Sequence, residues 1–260
     1  MKRYEAIFLA LSLLLIPILT ACSNTLASEG PELKAAIIDQ LATYHPNQEF
    51  IDKATATLET HGFKVDVWSG KEVTTSLYRQ LPQYGYKLIL FRAHVGIAHL
   101  VGESEVISLE TTSVFTGENY TTTKYLTEQL SGSLMEAQMT ENLPTVFAIN
   151  PKFITENMKG EFDNTAILMM GCSSYYLDDM ARAFSQKGAS VYLGWSATVT
   201  LEYLDGAVIE LVEQLYTRHL NLEEATSRTM ATVGRDPYFG ARLKYYPDTS
   251  GSYIVATPAT

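Results

Sequence analysis

Two residues of the chain place reactive side chains shortly after an apolar segment. His94 follows the run KLILF (residues 87–91), and Cys172 follows the run TAILMM (residues 165–170). A cysteine thiol that gives its proton to an imidazole becomes a thiolate, which is the nucleophilic form of the side chain. The two residue types, at matching positions after two apolar runs, therefore indicate a nucleophile and its general base.

The N-terminus has the plan of a signal peptide, with basic residues at positions 2 and 3 and a mostly apolar stretch over residues 7–19. The stretch ends in Leu-Thr-Ala-Cys22, which resembles the lipobox of bacterial lipoproteins. That resemblance implies cleavage after residue 21 and lipidation of Cys22 by acyl chains such as palmitate. The alternatives are an ordinary secreted protein cut nearby and an uncleaved anchor.

Lipidation of Cys22 leaves Cys172 as the one remaining thiol, since the chain has two cysteines. A lone thiol outside the cytoplasm has no disulfide partner within the chain and needs an explanation. One explanation is a small buried hydrophobic residue, which is a common fate of free cysteine. The other is catalysis.

Charge and composition exclude some classes of partner. The net charge is −10, and a nucleic-acid-binding surface requires an excess of basic residues, so nucleic acid is not expected as a partner. Residues 22–33 are small and polar, as in a tether from lipid to domain. We therefore expect an extracytoplasmic protein held at a bacterial membrane by its lipid.

The remainder, residues 34–260, is predicted to be one α/β domain in which strands and helices alternate. Strands are predicted at 34–39, 63–68, 87–91, 145–149, 165–170 and 189–195, and helices at 47–62, 73–85, 178–188, 201–220 and 221–234. This alternation predicts a mostly parallel sheet with helices on both faces. The alternation of strands and helices fails over residues 97–144. We interpret this segment as an insertion that contains a hairpin with its turn at residues 117–119. Residues 252–256 are predicted as a closing strand.

In sheets of this kind, functional groups gather beyond the carboxyl ends of the strands. If the strands before His94 and Cys172 are neighbours, both side chains emerge at the same edge. Arg92, at the end of the first of these runs, is assigned to the substrate pocket as a partner for an acidic group. The residue type on its own favours a surface or salt-bridged arginine over this pocket role.

The segment GCSSYYLDDMARAFSQKGASVYLGW (residues 171–195), together with the apolar strand and His-x-Gly around His94, resembles caspase-like (clan CD) cysteine peptidases. It is especially similar to gingipain-like and CHAT sequences. The resemblance implies the caspase-like α/β/α sandwich and a cysteine endopeptidase without a cofactor or metal. It assigns Cys172 as nucleophile and His94 as general base. The implied oxyanion hole consists of backbone N–H groups of Cys172, Val95 and Gly96, and the implied border of the substrate pocket is Trp195, Ser196 and Thr198.

The sequence departs from its relatives at two positions of the site. Many relatives have glycine directly after the histidine, whereas Val95 intervenes here. Met170 and Gly171 precede the cysteine, where caspases place alanine before it. The first of these departures bears on the geometry of the oxyanion hole. The alternative function is a catalytically inactive module that binds a peptide or an envelope partner, because folds of this kind also include inactive binding modules. A metal hydrolase is not favoured, because His94 and His99 lack zinc-motif spacing.

Overall fold

The computed structural model describes residues 32–101 and 108–256 of the 260-residue chain. The predicted signal peptide, Cys22 and most of the predicted tether lie outside these residues, as do residues 102–107 of the predicted insertion. Within the described part of the chain, no helix has both the length and the apolar character needed to span a membrane.

The described residues form two sheets and the helices that cover them. The strands are Leu33–Asp39 (β1), Phe63–Ser69 (β2), Leu88–Arg92 (β3), Val95–Val101 (β4), Ser108–Asn119 (β5), Leu134–Ala137 (β6), Val146–Ile149 (β7), Ala166–Met170 (β8), Val191–Trp195 (β9) and Leu243–Tyr246 (β10). The α-helices are Gln48–Thr60 (α1), Thr75–Gln80 (α2), Leu126–Ser131 (α3), Pro151–Asn157 (α4), Asp179–Gln186 (α5), Leu201–Val212 (α6) and Leu222–Val233 (α7).

The larger sheet has the strand order β10-β9-β8-β3-β1-β2. All neighbouring strands are parallel except β10, which runs antiparallel to β9. The predicted fold class, a mostly parallel sheet in an α/β protein, is therefore confirmed. Strands β3 and β8 are direct neighbours, which is the condition on which the predicted site depended.

The central strands are buried on both faces, and alternate residues belong to two separate cores. In β1, Ala35 and Ile37 pack into the core that contains α1, α6 and α7, whereas Ala36 and Ile38 pack into the core of α2, α4 and α5. Strand β8 divides its residues in the same way. Burial on both faces explains the unbroken apolar runs of these strands, because neither set of side chains faces water.

The smaller sheet, in the order β4-β5-β7-β6, is antiparallel and contributes side chains to the second of these cores. The predicted hairpin turn at residues 117–119 is wrong, because these residues belong to β5. A Cβ on Gly117 would lie 1.9 Å from the carbonyl oxygen of Gly70. This glycine therefore permits close packing of β5 against a neighbouring loop instead of forming a turn.

The closing strand is also placed differently from the prediction. Residues 252–256 do not join the sheet, and β10 fills the edge beside β9 instead. The carbonyl of Tyr253 accepts a hydrogen bond from the N–H of Leu222 at the start of α7 (2.9 Å), and Val255 is buried in the core. Val255 is thus buried against a helix, whereas Ile254 is exposed, and periodicity alone does not distinguish this burial from burial in a sheet.

A buried charge cluster joins the carboxyl ends of β1 and β3 to two helices. The guanidinium of Arg92 donates two hydrogen bonds to Asp205 in α6 (2.8 and 2.9 Å) and one to Asp39 at the end of β1 (2.9 Å). Asn47, whose side-chain oxygen accepts the N–H of Phe50 at the start of α1, also donates to Asp205 (2.8 Å). Arg92 is 1% exposed. It is therefore a structural residue, and its predicted place in a substrate pocket is wrong.

Replacement of Arg92 by methionine is expected to destabilise the fold strongly. The substitution leaves the carboxylates of Asp39 and Asp205 buried without their cation, a change that costs about 3–5 kcal/mol in comparable buried pairs. Urea denaturation followed by circular dichroism measures the loss. The control is Arg182→Met, which breaks the exposed pair with Asp178 and is expected to leave the midpoint almost unchanged. Equal midpoints for Arg92→Met and the wild type would contradict this role of the cluster.

Candidate active site

His94 and Cys172 occupy equivalent positions beyond the ends of two paired strands. Strands β3 and β8 are in register with Arg92 opposite Met170, so each reactive residue lies two positions past the last pair. The N–H of Ala93 donates to the carbonyl of Met170 (3.2 Å), which extends the pairing one step further. The prediction that both side chains emerge at one edge of the sheet is confirmed.

Gly171 allows the two strand ends to come together. A Cβ at this position would lie 2.3 Å from Cγ2 of Val95 and 2.7 Å from the carbonyl oxygen of Ala93. Any other residue type would push the cysteine-bearing turn away from the histidine-bearing one. The glycine before Cys172 is therefore required by packing between the two halves of the site.

A pocket of about 200 Å³ has both reactive residues in its wall. Its other side chains are mostly apolar and come from the segments after β1, β6 and β9 and from α6: Leu41, Met139, Val199, Leu201 and Leu204. Such a wall reduces the solvation of the half-buried thiol and imidazole. The exposed side chain of His45 also borders the pocket.

The thiol of Cys172 is half-buried, and its Sγ donates to the carbonyl oxygen of Val199 at 3.5 Å. No hydrogen bond joins Sγ to the ring of His94 in the described structure. The turn that contains the cysteine is fixed to the loop after β9, because the N–H of Ser173 donates to the carbonyl of Ala197 (2.9 Å). Ser173 adopts a φ of 54°, a conformation uncommon for residues with a side chain and frequent at functional sites.

His94 is held by its backbone and by an aromatic contact. Its N–H donates to the side-chain oxygen of Gln40 (2.9 Å), and its carbonyl accepts from Phe115 (3.0 Å). The ring lies edge-on to Phe115, with 4.6 Å between centroids. Burial, together with the nearby His45 ring, lowers the pKa of His94 below its ordinary value of 6.5. The imidazole is therefore neutral at pH 7, as a general base must be.

Gln40 was not identified from the sequence. It is buried directly after β1, and its side-chain N–H also reaches the carbonyl of Thr116 in β5 (3.4 Å). The sequence feature that could have identified Gln40 is a polar residue directly after an apolar run, at the same sheet edge as His94. Gln40 follows a strand of the larger sheet and contacts β5 of the smaller one, so its hydrogen bond to His94 fixes the backbone of the histidine relative to both sheets.

The pairing of β4 with β5 separates the two amides proposed for the oxyanion hole after His94. Because the carbonyl of His94 accepts from Phe115, the alternation of an antiparallel ladder assigns the next hydrogen-bonded pair to Gly96 and Ser113. Val95 belongs to the non-hydrogen-bonded pair, so its N–H points away from β5. The N–H of Gly96 is therefore occupied by the sheet, and the N–H of Val95 remains the candidate.

The residues predicted to border the substrate pocket divide into three environments. Trp195 is fully buried and packs edge-on against Tyr203 (5.4 Å between centroids), so it belongs to the core and its pocket assignment is wrong. Ser196 is half-buried, and its side-chain oxygen accepts from the N–H of Arg242 (3.0 Å). Thr198 is exposed. Its contact with a substrate stays a prediction.

The described residues do not place a metal site at this edge. His99 lies in β4 with its ring 3.9 Å from Glu110, and its side chain is exposed. No group of three or more His, Cys, Asp or Glu side chains is arranged to hold a metal ion in the described part of the chain.

The fold has a counterpart among solved structures. The chain is similar to the Arg-specific cysteine proteinase gingipain R, with a TM-score of 0.54 and 11% sequence identity over 86% of this chain. It spans about half of the gingipain R structure, 48% of that chain. Neither the protein-family models nor the curated proteins give a match.

The strand order and this similarity together identify the fold as the caspase-like α/β fold. The predicted resemblance is confirmed at the level of the fold. At 11% identity, the similarity does not extend to activity, because one fold supports several functions.

Replacement of Gly171 by alanine is expected to destabilise the protein by about 1–3 kcal/mol, the usual cost of overpacking a dense region. The added methyl group collides with Val95 and the carbonyl of Ala93. Thermal unfolding measures the effect. The matched control is Gly206→Ala in α6, where a Cβ meets no atom within 4 Å, so its stability is expected to be unchanged or slightly higher. Wild-type stability in Gly171→Ala would refute the packing argument.

Proposed function

We propose that the protein is a cysteine endopeptidase that hydrolyses peptide bonds outside the cytoplasm. The observation that supports this most is the equivalent placement of Cys172 and His94 past paired strands, in the wall of one apolar pocket. The neutral imidazole, with its lowered pKa, matches the role of a base that takes the thiol proton.

In the proposed reaction, His94 removes the proton from Sγ of Cys172, and the thiolate attacks the carbonyl carbon of the scissile peptide bond. The oxygen becomes an oxyanion that accepts hydrogen bonds from the N–H groups of Cys172 and Val95. His94 then gives its proton to the leaving amine as the C–N bond breaks. Water, deprotonated by His94, hydrolyses the resulting thioester and restores the thiol.

The resting thiol must change its partner before this reaction. Sγ now donates to the carbonyl of Val199, and rotation about the Cα–Cβ bond moves it between staggered positions. Catalytic hydrogen bonds are often long or absent before a substrate binds. We propose that a substrate whose backbone enters the pocket displaces the thiol from Val199 and turns it toward His94.

The proposed location follows from the N-terminal sequence. A signal peptide over residues 1–21 and lipidation of Cys22 would hold the domain at the outer face of a bacterial membrane. The proposed partners are then the membrane, reached through the lipid, and a peptide or protein substrate. The net charge of −10 is consistent with a soluble domain that does not bind nucleic acid.

A second candidate function is a catalytically inactive module that binds a peptide or an envelope partner. One observation favours it: the thiol of Cys172 is bonded to a backbone carbonyl, not to the imidazole. In this alternative the pocket binds its ligand without forming a covalent bond, and Cys172 contributes only to packing.

Hydrolysis of a fluorogenic peptide library separates the two functions. We expect wild-type turnover, none with Cys172→Ala, and a loss in kcat/KM of about 100- to 10,000-fold with His94→Ala, the usual range for a general base. The acidic limb of the pH profile is expected below pH 6.5, because the lowered pKa means that His94 becomes protonated, and activity is lost, only below that pH. His99→Ala, which changes an exposed histidine outside the pocket, is the control and should keep full activity. Equal turnover by wild type and Cys172→Ala would refute the proposal.

A further inference from the structure

A short loop before β10 holds two large aromatic side chains out in solvent. Tyr238 is 80% exposed and Phe239 is 53% exposed. The loop is not loose, because the N–H groups of both residues donate to one carboxylate oxygen of Asp236 (2.9 and 2.7 Å). The N–H of Gly240 also returns to the carbonyl of Asp236 (2.9 Å). Exposed aromatic residues on a fixed loop lose little conformational entropy when they bind a partner.

The same carboxylate ties this loop to the candidate active site. The second oxygen of Asp236 accepts the N–H and the hydroxyl of Thr200 (2.8 and 2.9 Å), and Asp236 is only 2% exposed. The peptide group that joins Val199 to Thr200 therefore has its carbonyl on the thiol of Cys172 and its N–H on Asp236. One peptide group separates the nucleophile from the anchor of the aromatic loop.

Two arginines flank the aromatic pair. Arg235 and Arg242 are both exposed, and neither forms a salt bridge within the described residues. The N–H of Ser196, in the loop after β9, donates to the carbonyl of Arg242 (2.9 Å), so the backbone of Arg242 lies beside that loop. Although the net charge of the chain is −10, the two arginines give the loop a local positive charge next to its two aromatic residues.

We propose that Arg235, Tyr238, Phe239 and Arg242, the aromatic rim, bind the substrate segment next to the scissile bond. The segment that fits has a bulky apolar or aromatic side chain near an acidic residue, since the rim offers two aromatic faces and two guanidinium groups. The inference rests on the proposed peptidase function and specifies its substrate class. A peptide is favoured over a lipid surface because Asp236 fixes the rim relative to Cys172, a coupling that membrane binding does not require.

The test compares three peptides that differ at two positions: one with an aromatic and an acidic residue, one with alanine for the aromatic residue, and one with lysine for the acidic residue. Binding is measured by fluorescence anisotropy on the full-length Cys172→Ala protein, which does not depend on turnover. We expect the first peptide to bind tightest. The double variant Tyr238→Ala/Phe239→Ala in this background should weaken its binding about 10- to 200-fold and the alanine peptide much less. Tyr176→Ala, another largely exposed aromatic, is the control and should bind like its parent.

The outcomes distinguish the rim from the peptidase. Loss of peptide binding in the double variant, with an unchanged melting temperature, supports the rim even if the wild type hydrolyses nothing. Equal binding of all three peptides, or equal binding by the double variant and its parent, overturns the rim even if hydrolysis occurs. Binding to anionic phosphatidylglycerol vesicles that requires Tyr238 and Phe239, without peptide selectivity, also overturns it and indicates a membrane-contacting loop.

Discussion

The guanidinium of Arg92, buried between the carboxylates of Asp39 and Asp205, fixes the carboxyl edge of the larger sheet. Two acidic side chains so deeply buried require a cation, because an isolated charge inside a protein is strongly unfavourable. Burial raises the pKa of Asp39 even though Arg92 lies beside it. The cluster joins β1, β3 and α6, and the chain reaches His94 only two residues after Arg92. The ion pairs of Arg92 therefore fix the end of the strand that carries the proposed base.

The second half of the site depends on close backbone approach instead of charge. Gly171 lets the end of β8 touch the segment around Ala93 and Val95, which brings Cys172 into the wall of the pocket. A hydrogen bond from the N–H of Ser173 to Ala197, in the loop after β9, then holds the turn in place. The base is therefore positioned by the ion pairs of Arg92, and the nucleophile by the close backbone approach at Gly171. Loss of either interaction is expected to separate the two side chains in the pocket.

Much of this arrangement was predictable from local patterns. Apolar runs alternating with helices defined the sheet, and the rule that functional groups collect past strand ends selected Cys172 and His94. What was missed depends on contacts between distant parts of the chain. Arg92 pairs with residues 53 and 113 positions away, so the sequence could not show that its charge is neutralised in the interior. Gln40 acts through the backbone of His94, a contact that also has no local signature.

The errors in the fold have similar physical origins. Gly117 resembled a turn glycine, yet its lack of a Cβ serves the contact with Gly70. The run at residues 252–256 has strand-like composition, yet Val255 is buried beneath helices. In each case a residue type has several structural uses, and tertiary packing selects one of them.

The central claim, that Cys172 and His94 form a working dyad, is tested most directly by the alkylation rate of Cys172 as a function of pH. In the full chain with Cys22→Ser, Cys172 is the sole thiol, so iodoacetamide labelling reports on it alone. A dyad predicts rapid labelling near neutral pH that is lost in the same chain with His94→Ala. Slow labelling with the profile of an ordinary thiol, whose pKa is about 8.5, would contradict the dyad, as would labelling only after denaturation.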